Sequence, residues 1–284
     1  MLVGLRELAL AAKVAGRGLG AFNVIHLEHA TAFVRAAERA ERPVVLQLSE
    51  NAVKYHGALE PICQAMLAVA RDAAVPVVVH LDHAEDTELI RRAVDIGVTS
   101  VMYDGSHLVD AENRRTTRAM VELCHTTGVD VEAELGEVGG KNGVHDPSAR
   151  TSPQDAAEFV RDTGVDLLAV AVGSSHAMTT RDAHLDENLI RAITEAVDVP
   201  LVLHGSSGVS DAGMQAAIAA GMTKINVATH LNRVLTDSVR ETLSANPALV
   251  DSRKWLGPAL AAVEEETLRL LTLYYPRAKA GTAP

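Results

Sequence analysis

The chain has 284 residues and a formal charge of −11, which argues against nucleic acid as a general partner but leaves room for one phosphate held locally by backbone N–H groups, a metal or a cationic side chain. No apolar run approaches the roughly 18–20 residues of a membrane span, the amino terminus lacks a basic-then-apolar export pattern, and Cys63 and Cys124 stand far apart without CxxC spacing, so the expectation is a reduced cytoplasmic protein. With 48% hydrophobic residues and only 3% aromatics, the core is expected to be aliphatic, as in proteins that alternate helix and strand.

Eight strands are predicted, at Gly20–Val24, Pro43–Leu48, Pro76–Asp82, Ser100–Asp104, Asp130–Leu135, Leu167–Gly173, Pro200–Gly205 and Lys224–Thr229. They are runs of β-branched and aliphatic residues, the pattern of strands buried on both faces in a parallel sheet. Helix-period segments separate them, early ones at Leu27–Glu41, Leu59–Ala73, Thr87–Ile96 and Ala111–Thr127. Ser152-Pro153-Gln154-Asp155 and Ser210-Asp211 read as helix starts, with a Ser cap and acid in the first turn. Gly97, Gly128, Gly164 and Gly221 each stop a helix shortly before a strand. Eight βα units in this length predict a single α/β domain over residues 1–284, a (β/α)8 TIM barrel, with a doubly wound open sheet as the alternative. The Gly-rich, polar stretch 136–150 is too long for an ordinary connection and is expected to be a mobile lid; the tail after 278 is expected to fray. Helix periodicity around Ala259–Tyr274 is compatible with an oligomer interface.

The third strand changes character at its end, from Val77-Val78-Val79 to His80-Leu81-Asp82-His83. Side chains alternate along a strand, so His80 and Asp82 share a face, and His83 joins them only where the strand ends and the chain bends. The theme recurs at His204 after the seventh strand and at His176 after the sixth. Asp104, Glu134 and Asn226 occupy equivalent ends; Glu132 and Glu134 share a face, so at least one acid is expected to point into the barrel mouth. This fold builds its active sites at the carboxyl ends of its strands, and the convergence of seven polar groups there implies a site rather than isolated caps. Three imidazoles point to Zn²⁺ or another borderline divalent ion rather than Mg²⁺, with one position open for substrate. Asp104 and Glu134 are either further ligands or the groups that orient the histidines. Gly205-Ser206-Ser207-Gly208 and Asn226-Val227-Ala228-Thr229 follow strands seven and eight, the address at which barrels often bind phosphate.

At these residues the chain resembles the class II, metal-dependent ketose-bisphosphate aldolases, of the fructose- and tagatose-bisphosphate type. The motifs are HLDH (80–83), SVMYDGSH (100–107), VEAELG (131–136), AVGSSH (171–176), LVLHGSSG (201–208) and KINVAT (224–229), within a match from about Gly20 to Gly257. The resemblance implies His83, His176 and His204 as zinc ligands and Asp82 as the base at the C4 hydroxyl in cleavage and the proton donor in condensation. It implies Ala177, Gly205, Ser206, Ser207 and Asn226, Val227, Ala228 and Thr229 around the phosphate of dihydroxyacetone phosphate, with Asn226 also touching the enediolate. Ser49 and Arg253 match positions that meet substrate phosphate or its surroundings. Zinc as Lewis acid suits the reaction, because breaking a C–C bond beside a ketone leaves a carbanion that needs an electron sink. A lysine Schiff base is the other route, and Lys224, which can share an inward face with Asn226, is its candidate. A monovalent cation beside the zinc and a homodimeric or homotetrameric assembly are further expectations, with a phosphorylated ketose as partner.

Three departures bear on the substrate. Lys141-Asn142 follows Gly139-Gly140, where the family's lid often carries an acid, which leaves Glu137, His145 or Asp146 to replace it. Ala177 stands where Gly usually follows the second histidine, and Ala228, where fructose-bisphosphate enzymes often carry Asp, favours the tagatose side. The other readings are a metal-dependent sugar-phosphate isomerase or epimerase, and a sugar-phosphate-binding barrel without turnover.

Overall fold

The structure, a computed structural model, describes residues 1–135, 150–175 and 180–275. Residues 136–149 of the expected lid, the tail after 278, and with them Glu137, His176 and Ala177, lie outside the described residues. Eight parallel strands close on themselves: β1 (Leu19–Asn23), β2 (Val44–Ser49), β3 (Val77–Ala84), β4 (Ser100–Tyr103), β5 (Asp130–Leu135), β6 (Leu167–Val170), β7 (Leu201–Leu203) and β8 (Met222–Val227). β8 pairs back onto β1 through Gly20↔Ile225 and Ala21↔Asn226, so the architecture is the expected (β/α)8 barrel and not the open sheet.

The helices in chain order are α1 (Leu5–Val14), α2 (Leu27–Ala40), α3 (Glu50–His56), α4 (Glu60–Asp72), α5 (Thr87–Ile96), α6 (Asp110–His125), α7 (Pro153–Thr163), α8 (Glu187–Ala196), α9 (Asp211–Ala220), α10 (Thr229–Ala245) and α11 (Ser252–Leu273). The predicted starts hold: Ser152 accepts from Asp155 N–H at 3.2 Å, and Ser210 from Gly213 N–H at 3.1 Å. Two helices lie outside the expected rhythm. α1 precedes the first strand and plugs the amino-terminal end of the barrel, where Leu5, Ala9 and Ala12 pack on Leu19, Ala21, Val45, Val78, Leu167, Ala169 and Val202. α3 follows β2 directly, with Ser49 as its cap accepting from Ala52 N–H at 3.2 Å. No helix among the described residues is long and apolar enough to cross a membrane.

Strands six and eight are shorter or shifted relative to the sequence expectation. β6 stops at Val170 although the apolar run continues, because β7 has only three residues and offers no ladder further on. Ala171 and Val172 instead take backbone bonds from Thr151 and Asp186, both at 2.9 Å. β8 ends at Val227, and Thr229 already opens α10.

The barrel interior is layered by the two-residue period of its strands. Ala21, Val45 and Val78 form its apolar floor, and two residues on in each strand stand Asn23, Gln47 and His80, which the register places side by side. β5 contributes Glu132 and Glu134, β8 Lys224 and Asn226. The interior therefore changes from aliphatic to polar towards the carboxyl ends of the strands.

Candidate active site

Register explains how His83 joins Asp82. Between the Leu81↔Val101 and Ala84↔Tyr103 pairs, β3 uses three steps where β4 uses two, so β3 carries a bulge there. His83 takes φ +49° within it, a left-handed conformation that costs a non-glycine residue on the order of 1 kcal/mol or more. The strand thus continues through His83 to Ala84 instead of ending, contrary to expectation, and the bulge re-aims the ring into the barrel mouth. The His83 and His204 rings lie 4.6 Å apart, centroid to centroid.

Each imidazole is backed by carboxylate. His83 Nδ1 lies 2.8 Å from Asp104 Oδ2, while Asp104 Oδ1 accepts from the Ser106 hydroxyl at 2.7 Å. His204 meets Glu134 at Nδ1 (2.9 Å) and Glu132 at Nε2 (3.1 Å). Burial disfavours charge on His204, but its bonds to Glu132 and Glu134 outweigh that and lift its pKa to about 10. Glu132 is also 2.8 Å from Lys224 Nζ, with both side chains fully buried. Burial would raise the Glu132 pKa, yet Lys224 and His204 hold it well below the usual carboxylate range. His80, beneath, bonds Ser100 Oγ at 2.9 Å, and burial and Lys224 push it down to about 3, so it is neutral.

The ligand atoms of Asp82, His83 and His204 lie within 4.8 Å of one another, as do those of His83, Asp104 and Glu134. Buried imidazole nitrogens with carboxylates behind them are the donor set of a borderline divalent ion, so these residues fit zinc. Ser175, the residue before His176, is buried against the seventh-strand turn: a Cβ on Gly205 would come within 2.6 Å of the Ser175 carbonyl, and Gly205 has φ +67°, so only glycine fits.

Asp82 is 2% exposed and held from two sides: Asn23 Nδ2 donates at 3.2 Å and Asn226 Nδ2 at 3.4 Å. Burial alone would raise its pKa, but His83 and Lys224 above all lower it, and the group is a carboxylate at neutral pH. Asn23 is a site residue that the sequence reading missed. A lone Asn before a helix resembles a turn or cap, and only its two-residue spacing from inward Ala21 marks it.

One cavity of about 640 Å³ collects Asn23, Asp82, His83, Asp104 and Asn226 at its centre. Gly205, Ser206, Ser207, Ala228 and Thr229 form one end, where Ser206 Oγ donates to the Asn226 carbonyl and Ser207 Oγ accepts from His230 N–H at 3.1 Å. Ser49, Glu50, Asn51, Lys54, Glu85 and His107 form the other. Lys54, ion-paired to Glu50 at 2.7 Å, is the one lysine or arginine among the described residues that line it. Glu134 and His204 stand behind the cavity, fully buried, and Val227 is buried at 3% exposure. Arg253 does not reach this cavity: its side chain is 89% exposed and pairs with Asp251 at 3.0 Å in the first turn of α11. Lys224 does not line it either, and its amine points to Glu132 beneath the site rather than to a carbonyl substrate, which removes the Schiff-base alternative.

The family model of class II fructose-bisphosphate aldolase matches residues 3–276. A probable fructose-bisphosphate aldolase of Bacillus subtilis is 39% identical, covering 94% of this chain and 95% of its own length. The fructose-bisphosphate aldolase of Thermus caldophilus is 38% identical, covering 96% and 98%. The crystal structure of the YdjI aldolase from Escherichia coli K12 superposes with a TM-score of 0.87 at 34% identity, covering 99% of this chain and all of that one. The chain belongs to the class II fructose-bisphosphate aldolase family.

Proposed function

We propose that this chain uses Asp82 as acid and base in the zinc-dependent aldol cleavage and condensation of a ketose 1,6-bisphosphate, with His83, His204 and, outside the described residues, His176 as the zinc ligands. Aldol cleavage of a ketose bisphosphate is the chemistry of its family, which makes it a lyase. The observation that carries the residue assignment is a buried carboxylate, Asp82, set among carboxylate-backed histidines at the centre of a cavity with an anion-suited turn at one end.

When bound, the zinc ion supplies Lewis-acid polarisation of the substrate's C2 carbonyl. The remaining work belongs to the chain. Asp82 accepts the C4 hydroxyl proton as the C3–C4 bond breaks, and returns it in the condensation direction. Asn23 and Asn226 hold that carboxylate, and Gln47 fixes Asn23 by donating to its Oδ1 at 3.1 Å. Asp104 and Glu132 orient the two imidazoles, and Glu134 stands close enough to serve as a further ligand. The turn at Gly205, Ser206 and Ser207, with Ala228, Thr229 and the first turn of α10, takes the phosphate of the dihydroxyacetone phosphate half. Ser49 and Lys54 at the opposite end face the aldehyde half, whose phosphate meets the Lys54 ammonium. Glu137 is assigned the acid-base task on the donor substrate in place of the absent lid acid. Ala228 favours the tagatose epimer over fructose. Cys63 and Cys124 are free and buried, and burial pushes their thiols up to about 12 and 11, which suits a reduced cytoplasmic setting. A homodimer or homotetramer completes the proposal, and light scattering measures it.

The test is cleavage of tagatose and fructose 1,6-bisphosphates with triose phosphate detected, before chelation, after it, and after zinc is returned. Chelator-sensitive cleavage restored by zinc supports the assignment, and the ratio of the rates names the preferred epimer. Cleavage that survives complete zinc removal would overturn it.

A further inference from the structure

Behind the anion-suited turn runs a chain of alternating charges that the reaction itself does not use. Arg181 donates from Nε and Nη2 to the Val209 carbonyl at 3.0 and 2.8 Å, and from Nη2 to Asp211 Oδ1 at 2.6 Å. The other Asp211 oxygen accepts from Arg269 Nη1 at 2.6 Å. Arg269 grips both Glu266 oxygens at 2.8 Å each, and Glu266 Oε1 lies 2.6 Å from His230 Nε2. The His230 backbone N–H then donates to Ser207 Oγ at 3.1 Å. The run passes from the loop after β6 to the start of α9, across α11, into the first turn of α10, and ends on the turn after β7.

Those are the segments that must keep their spacing if backbone N–H groups are to meet a phosphate. Side-chain ion pairs at a protein surface contribute little to global stability. Their placement is the informative part. The space between the turn and α11 is a cavity of only about 10 Å³, lined by Ser206, Ser207, His230, Leu270 and Tyr274 among others, so the turn rests almost directly on the helix. Leu270 and Tyr274 are buried and seat α11 on the barrel, which makes it a fixed base for Glu266. Burial would raise the Glu266 pKa, but its bonds to Arg269 and His230 lower it to about 2, so the carboxylate is charged at any pH at which the enzyme works. A charged, doubly anchored acceptor holds the His230 ring, and through it the backbone N–H given to Ser207.

We infer that Glu266, acting through His230 and braced by Arg269, Asp211 and Arg181, is a positioning residue that presets the phosphate turn for binding. This rests on the proposed use of that turn for the substrate's phosphate. Preorganisation of this kind lowers the cost of binding, so its loss raises dissociation constants more than it slows chemistry.

The experiment uses the full-length, zinc-loaded protein with Glu266→Ala and Glu266→Gln, and inorganic phosphate and dihydroxyacetone phosphate as probes. In Glu266→Ala the Kd for inorganic phosphate and the KM for dihydroxyacetone phosphate in condensation rise about five- to tenfold. The kcat falls by less than the KM rises, zinc content is unchanged, and the gain in thermal midpoint on adding phosphate shrinks. Glu266→Gln, which still accepts from His230, recovers part of the binding and keeps the test open should the alanine variant fail to fold. A phosphate Kd equal to wild type in either variant overturns the positioning role, as does loss of zinc and kcat together with phosphate affinity intact. A wild-type protein that binds no inorganic phosphate and condenses nothing instead removes the phosphate assignment of the turn, and this inference with it.

Discussion

The acid-base role proposed for Asp82 rests on a local contest between burial and charge. A carboxylate at 2% exposure would ordinarily take up a proton, but the surrounding imidazoles and Lys224 keep it ionised, and two amides hold its oxygens in place. Asp82→Asn preserves the shape and removes the proposed base. Its kcat is expected to fall by about 10²–10⁴ while zinc content by metal analysis stays at wild-type level; unchanged turnover would end the acid-base assignment. His204→Ala removes a proposed ligand together with its contacts to Glu132 and Glu134, and zinc and activity should disappear together. At the far rim, Lys54→Met should raise the KM for glyceraldehyde 3-phosphate about tenfold and leave unphosphorylated glyceraldehyde unaffected, since a charge-assisted hydrogen bond contributes about 1.5–3 kcal/mol. An equal effect on both aldehydes would show that Lys54 does not read the phosphate. The residues of this scale were legible in unequal measure. Asp82, His83 and His204 stand out because polar groups break aliphatic runs. Asn23 and Lys54 do not, since one lies before a helix like any cap and the other on a short helix surface.

Between elements, the decisive contact is the buried pair of Lys224 on β8 and Glu132 on β5, which meets across the barrel interior and carries His204 on its other side. Removing one partner leaves an uncompensated buried charge. Lys224→Met alone should destabilise the fold by about 3–5 kcal/mol, and Lys224→Met with Glu132→Gln by clearly less, as a double-mutant cycle in denaturant would show. The α10–α11 contact makes a pH prediction. Glu266 has its folded pKa lowered from 4.5 to about 2, so it contributes stability that is complete above pH 4.5 and lost as pH falls towards 2. Glu266→Gln should flatten that acid limb of the unfolding curve and leave the neutral region's slope unchanged. Neither pairing could be read along the chain, because each joins residues far apart in sequence: 92 positions for Lys224 and Glu132, by subtraction of their numbers, and 36 for His230 and Glu266.

For the whole molecule, zinc is expected to stabilise the barrel without creating it. The aliphatic floor and the outer helix layer are independent of the ligand set, so chelation should lower the thermal midpoint by several degrees with the far-ultraviolet circular dichroism unchanged, a shift consistent with the mass-action gain of about 4 kcal/mol at a thousandfold excess over Kd. Unfolding on chelation would contradict this. What the sequence determined by itself was the architecture and the address of the site: strand periodicity, glycine helix stops and serine caps act within a few residues, and the barrel's repeat multiplies each weak signal eightfold. The tertiary structure decided the rest. It turned His83 inward through a bulge set by β4's register, set Lys224 against Glu132 instead of substrate, left Arg253 on the surface, and joined α11 to the turn after β7. Each of these depends on which groups meet across closed strands and packed helices, and burial, which sets the strength of every charge in the site, exists only once the barrel has closed.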